Sequence, residues 1–293
     1  MRSKKLIFLI LILFKNLFAD KADLIIYSYH RPLQLFALLE SIEKYILNLG
    51  EVHIIYRSDN EKFSTAYEQL ISRFNKYNFH KQGNSPAHDF KILTLKYFSE
   101  SPSDYIVFAV DDIVVKDYFD ISQCVSSLKK TNSYAFFLRL GMNIKECYML
   151  QKKCPLPKNI SVESDMHQYN LSDGQFFQWC PWAYPNNVDM SIYKKSEIKS
   201  DLEKLNMSYP NDFELLWSYL ADFSKNCLFF KDSKIVNIPL NICHNSLNRN
   251  MKLYSNEELL EIFNMGLKID FSLYHKLDNR SPHMEIVPEF IKR

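Results

Sequence analysis

Glycine is scarce in this chain of 293 residues, with five in all: Gly50, Gly83, Gly141, Gly174 and Gly266. No two are close enough to form a G-x-G-x-x-G or G-x-x-x-x-G-K loop. A dinucleotide-binding fingerprint, a Walker loop and a protein-kinase glycine loop are thereby excluded. Any phosphate held here is held by side chains, a metal or a helix terminus. No pair of the six cysteines has C-x-x-C spacing, which argues against a structural zinc site. A basic surplus is also missing. Of the 36 lysines and arginines, Arg2, Lys4, Lys5 and Lys15 lie in the first nineteen residues, and the remainder balances 34 acids. That near-neutral body argues against nucleic acid as a partner.

The N-terminus reads as a targeting segment: a basic start with Arg2, Lys4 and Lys5, nine apolar residues 6–14, then Leu17-Phe18-Ala19 before Asp20. Nine apolar residues are too few to span a bilayer. Two readings stay open, a cleaved signal peptide and a retained short anchor. Both imply an exported or membrane-associated protein. The cysteines (Cys124, Cys147, Cys154, Cys180, Cys227, Cys243) all follow this segment, and their even number suits an exported chain with three disulfides. Cys147 with Cys154 is the first pairing expected.

With 47% hydrophobic and 24% charged residues, the chain has the material for a real core. Apolar runs and helical periodicity alternate along it. Leu24-Ile25-Ile26-Tyr27 predicts a strand ending at Ser28-Tyr29-His30-Arg31-Pro32. Leu35, Leu38, Leu39, Ile42, Ile46 and Leu49 then recur at helical spacing, with Pro32 in the first turn. Residues 52–56 predict a second strand, ending at Arg57-Ser58-Asp59-Asn60. In the helix that follows, Tyr67, Leu70, Ile71 and Phe74 share a face. A third helix spans about 87–98. Residues 105–110 are wholly apolar, as in a strand buried on both faces, and run into Asp111-Asp112.

Strands alternating with helices predict a mostly parallel sheet, whose ligands gather at the carboxyl ends of the strands. Three such ends carry polar groups suited to a nucleoside diphosphate: Tyr29 and Arg31, Arg57 and Asp59, and Asp111 and Asp112. Two adjacent carboxylates after an apolar strand repel each other and are costly to bury alone. A divalent cation, Mn²⁺ or Mg²⁺, supplies the partner and bridges to substrate phosphates.

These residues resemble the GT-A-fold glycosyltransferases of the family 2 and exostosin-like sort. Residues 26–32 with Leu35 and the following helix are similar to that fold's first nucleotide-binding strand and loop. Asp59 resembles the acid that reads the nucleotide base. Val107-Phe108-Ala109-Val110-Asp111-Asp112-Ile113 resembles the metal-binding D-x-D segment, with Val110 in place of its first carboxylate and Tyr118-Phe119 following. The resemblance implies an α/β fold: a mostly parallel twisted sheet flanked by helices, with a smaller irregular acceptor-side half. It also implies a single domain over 20–293, with a nucleotide-binding half at 20–120, an acceptor half at 121–255 and a C-terminal helix and tail at 256–293.

Implied roles follow. Tyr27, Tyr29, Arg31, Arg57, Asp59 and Asp111 bind the nucleotide. Asp112 holds the metal, joined by His244 at the end of a late strand over 235–245. Gln175-Phe176-Phe177-Gln178-Trp179-Cys180-Pro181-Trp182 is aromatic enough to line a sugar site, so Trp179, Trp182 and Glu214 bind the acceptor. Asp212 opens a helix with an apolar stripe of Phe213, Leu216, Trp217 and Leu220. It serves as a cap, or as cap and general base. Arg249 and Lys252 have two open readings, neutralising a leaving diphosphate or standing solvated. Ser255-Asn256-Glu257-Glu258 is a capping box, and the role of the tail after Ile269, with folding back over the site as one reading, stays open. The activity implied is transfer of a sugar from a nucleoside diphosphate sugar to a glycan or other hydroxyl acceptor. The alternatives are a secreted glycan-binding protein on a degenerate scaffold of this kind and, less favoured, a nucleotidyltransferase.

Overall fold

The strand Asp23–Tyr29 (β1) is buried from Asp23 to Ser28, and successive side chains enter different cores. Leu24 and Ile26 join one core with Leu35, Phe63 and Phe263, whereas Ile25 and Tyr27 join another with Phe90, Phe213 and Trp217. A period of two on a strand means that these cores lie on opposite faces of one sheet. The structure, a computed structural model, describes residues 20–163, 165–174, 180–243 and 249–293. The expected leader or anchor over 1–19, and Trp179 and His244, lie outside the described residues.

Helix α1 (Pro32–Tyr45) opens with Pro32 as the sequence predicts. Strand β2 (Val52–Arg57) leads into α2 (Glu61–Arg73), where the Asn60 side chain caps the N-terminus through the Phe63 N–H. Strand β3 (Asn78–Lys81) was not anticipated, because Asn-Phe-His-Lys carries no apolar alternation and sits at the sheet edge. Helix α3 (Pro86–Glu100) and strand β4 (Tyr105–Val110) follow where expected. Beyond Asp111-Asp112, β5 (Ile113–Val115) leaves the main sheet.

The second half supplies α4 (Ile121–Thr131), β6 (Ala135–Phe137), β7 (Ile160–Glu163), β8 (Met166–Asn170), β9 (Ser191–Lys194), α5 (Lys195–Lys204), α6 (Pro210–Ser218), β10 (Asn226–Phe230), β11 (Ile235–Asn237) and α7 (Asn256–Asn264). The main sheet has nine strands in the order β7-β8-β10-β6-β9-β4-β1-β2-β3. Only β8 and β9 run against the others. The sheet is therefore mostly parallel, and helices cover both faces. The late strand is shorter than expected: β11 ends at Asn237 and pairs antiparallel with β5, setting Asn237 opposite Ile113. The capping box of Ser255 and Glu258 forms as predicted.

The cysteine pairing differs from the expectation. Cys154 is bonded to Cys180, 26 residues away, while Cys124, Cys147, Cys227 and Cys243 remain thiols. Glu146–Cys147 pairs with Lys152–Lys153, and this register sets Lys152 across from Cys147. Cys154 therefore meets Cys180, and the three sulfurs share one buried cluster. Cys124 and Cys227 are buried in opposite cores, so three bridges do not form. No helix of the described residues is long and apolar enough to cross a membrane.

Candidate active site

A cleft of about 730 Å³ opens at the carboxyl edge of β1, β2 and β4. Between Tyr29 and Arg31, His30 adopts a left-handed backbone (φ 54°), a conformation that non-glycine residues rarely take. Its ring stacks on Phe63 with centroids 4.0 Å apart, and its Nε2 accepts the Asp59 N–H at 2.9 Å. Those contacts hold the turn that carries Arg31 into the cleft.

Arg31 sits between the paired acids. Its Nη1 donates to Asp111 Oδ1 and Asp112 Oδ2, each at 3.1 Å, and its Nη2 donates to the Asn241 carbonyl at 2.6 Å. The Tyr29 N–H also donates to Asp111 at 3.1 Å. Burial, which Arg31 partly offsets and Asp112 reinforces, pushes the Asp111 carboxyl up to about 6. Asn241 is itself fixed: its Oδ1 accepts from Gln34 at 3.1 Å, and its Nδ2 donates to Asn256 at 2.6 Å.

At the outer end, Arg57 grips Asp59 through Nε (2.6 Å) and Nη2 (2.9 Å), and the Tyr29 hydroxyl donates to the same carboxylate at 2.6 Å. The Arg57 guanidinium lies 4.7 Å from the centre of the Tyr29 ring. Burial opposes ionisation of Asp59, but the hydrogen bonds from Arg57 and Tyr29 outweigh it and hold its carboxyl below the ordinary value. Tyr29 and Arg57 line the cleft, and Asp59 stands behind them with both oxygens engaged. Tyr27 is buried against Phe90, with its hydroxyl accepting from Thr94, and contributes only to the wall.

Across the cleft, the connection into β9 presents Asp189 and α6 presents Glu214. Glu214 Oε1 accepts the Val188 N–H at 2.7 Å. Burial, then the charge of Asp189, pushes the Glu214 carboxyl up to about 8. Buried Arg139 stands nearby and donates through Nη2 to the carbonyls of Pro181 and Tyr184. Asn237 Nδ2 donates to Asp189 Oδ1 at 3.0 Å and lies 3.4 Å from Asp112 Oδ1.

Several expected residues take other positions. Asp212 turns back to accept the Ser208 N–H at 2.8 Å and does not line the cleft, so it closes the turn ahead of α6. Residues 211 and 214, three apart on the helix, share the cleft face, and Glu214 is the carboxylate sent inward. Trp182 is a core residue, not a sugar-stacking surface. It is 1% exposed, its Nε1 donates to the Ile144 carbonyl at 3.0 Å, and it packs edge-on against Tyr169 and Phe229. Arg249 lines the rim paired with Glu285 at 3.0 Å, and Lys252 is exposed. Ser281, Pro282 and His283 line the cleft, so the tail does return to the site.

Sequence reasoning missed Arg139, Asp189, Asn237 and Asn241. Only Asn237 left a signal, a polar residue inside the apolar run Ile235-Val236-Asn237-Ile238. Among the described residues no group of three or more His, Cys, Asp or Glu is arranged to hold a metal.

No family model matches the chain. A bifunctional glycosyltransferase, pgtA of Dictyostelium discoideum, is 24% identical over 214 residues, which is 65% of this chain; the match spans 27% of that protein. Among solved structures, residues 1–349 of S. aureus TarS in complex with UDP give a TM-score of 0.46 at 14% identity, covering 73% of this chain and 59% of that one. The mannosyltransferase PcManGT of Pyrobaculum calidifontis, in complex with GDP-Man and Mn2+, gives 0.41 at 9%, covering 72% and 55%. The chain is thus similar in sequence to a glycosyltransferase, and it has an α/β fold in which a mostly parallel sheet carries a cleft lined by acids and arginines at its carboxyl edge.

Proposed function

We propose that the chain transfers a sugar from a nucleoside diphosphate sugar to a hydroxyl acceptor. The observation that carries this reading is a single cleft with two chemically distinct sides. One side is the strand edge of Tyr29, Arg31, Arg57, Asp111 and Asp112; the other is the acid pair Asp189 and Glu214. The first side offers cations and an aromatic ring to a nucleotide and its phosphates. The second offers carboxylates to a hydroxyl.

In this reading the nucleoside lies along Tyr29 and Arg57, which Asp59 aligns, and Arg31 faces the diphosphate. Asp189 and Glu214 act as a pair in taking the acceptor proton as the hydroxyl attacks the anomeric carbon. Burial and the charge of Asp189 push the Glu214 carboxyl up to about 8, so Glu214 favours its protonated form and Asp189 is the member of the pair placed to receive the acceptor proton. Asp212, engaged by the Ser208 backbone, supports α6 instead.

Of the residues present, Asp112 is the one that would hold a hard divalent cation, Mn²⁺ or Mg²⁺. Asp112 is a carboxylate open to the cleft, and such ions are commonly bound by one or two carboxylates together with substrate phosphates. Bound there, the cation would supply charge stabilisation to the departing diphosphate.

Calorimetric titration with UDP and GDP, in Mn²⁺ and in EDTA, tests the reading. Metal-dependent binding that Asp112→Asn abolishes is expected. Absence of nucleotide binding in every condition overturns it.

A further inference from the structure

The two sides of the cleft meet on one side chain. Asn237 is 1% exposed, and its amide nitrogen reaches Asp189 at 3.0 Å and Asp112 at 3.4 Å, so the two carboxylate oxygens are at most about 6.4 Å apart. Which way this amide faces is not arbitrary. Turning it over would set its carbonyl against both carboxylates, so electrostatics fix the nitrogen toward them. Its oxygen is left buried without a hydrogen-bond partner, which costs free energy.

The backbone of Asn237 is equally constrained. It lies opposite Ile113 in the β5–β11 ladder, the Ile238 N–H donates to the Asp112 carbonyl at 2.9 Å, and the Asn237 N–H donates to Pro282 at 2.8 Å. Asn237 and the acid pair are thus held in register by main chain. Asp189, in contrast, sits on a bent connection. Its N–H donates to Asn187 Oδ1 at 3.1 Å, and Met190 after it has a left-handed backbone (φ 52°).

We infer that Asn237 is a positioning residue that fixes the acceptor-side carboxylate Asp189 relative to the donor-side carboxylate Asp112. An amide suits this place because it donates to both acids, whereas an acid would add a third negative charge and an apolar residue would leave the two to repel. Transfer needs the proton-accepting group and the diphosphate-holding group at a set separation, and a misplacement of about 1 Å costs roughly 100-fold in rate. The inference rests on the proposed transferase reading for its kinetic consequence, although its structural content does not.

The test compares wild type with Asn237→Ala and, should that variant fold poorly, Asn237→Ser, by crystallography and by steady-state kinetics. In the variant structures Asp189 is expected to turn away from Asp112. With an active wild type, kcat for transfer is expected to fall about 10- to 100-fold while KM for the donor changes less than about threefold. A merely structural amide would lower the melting temperature without that split. An Asp189 carboxylate unmoved in the variants, or an active variant with wild-type kcat, overturns the inference. A wild type that transfers from no nucleotide sugar defeats the functional reading alone, since the position of Asp189 still decides this one.

Discussion

Arg31 and Asn241 are 210 residues apart in sequence, yet Arg31 Nη2 donates to the Asn241 carbonyl at 2.6 Å. This bond ties the first loop of the sheet to the segment after β11 and leaves Nη1 between Asp111 and Asp112. The same side chain therefore neutralises the acid pair and joins the halves of the chain that form the cleft.

Replacing Arg31 with alanine leaves two carboxylates uncompensated, with side chains only 5% and 16% exposed. Removing one partner of a buried ion pair costs about 3 kcal/mol or more. Arg31→Ala should lose at least that in urea unfolding at pH 7 and recover part of it as pH falls through about 6, where Asp111 takes a proton. Arg31→Lys should rescue poorly, because an ammonium lacks the fork that reaches both acids and the Asn241 carbonyl. A loss under 1 kcal/mol would show that the pair is solvated.

For Glu214 the sign of the pH effect follows from its carboxyl lying near 8 in the fold, against an ordinary 4.5. The fold favours the protonated form, so that contribution is complete below pH 4.5 and is lost as pH rises through 8. Glu214→Gln stays neutral throughout. Relative to wild type, its unfolding free energy should rise on going from pH 4.5 to 8, by on the order of 3 kcal/mol. A difference that is flat with pH contradicts the assignment.

Asp59 presents the opposite case. Its side chain is 39% exposed and that of Arg57 31%, and ion pairs at such exposure contribute about 1 kcal/mol or less to folding. Asp59→Ala should leave the unfolding midpoint nearly unchanged while releasing Tyr29 and Arg57. Nucleotide affinity should then fall about tenfold, equivalent to about 1.4 kcal/mol, with pyrophosphate affinity unaffected. Equal losses for both ligands would move the nucleoside away from this edge.

Peptide mapping without reduction should recover Cys154 joined to Cys180, and alkylation of the unfolded, unreduced chain should label Cys124, Cys147, Cys227 and Cys243. With the bonded cysteines 26 positions apart in sequence, reduction should cost about 3 kcal/mol of stability. Recovery of Cys147 joined to Cys154 would refute the pairing.

The sequence by itself determined the sheet's first half. Six apolar residues ending at Val110 must be buried on both faces, and the polar residues that follow each such strand must emerge at one edge. Tyr29, Arg31, Arg57, Asp111 and Asp112 were legible for that reason, and Pro32 and Ser255 marked helix starts through local chemistry alone. Strand β3 left no trace, because an edge strand needs no apolar alternation.

Tertiary structure decided what depends on phase and distance. Burial of Phe213 and Trp217 fixes the rotation of α6, and with it Glu214 turns to the cleft while Asp212 turns to Ser208. Hairpin register, not proximity in sequence, took Cys154 to Cys180. The meeting of Asp112, Asp189 and Asn237 brings together three segments whose spacing in the chain says nothing of their separation in space, since chain closure over such lengths is set by the packing of the whole sheet.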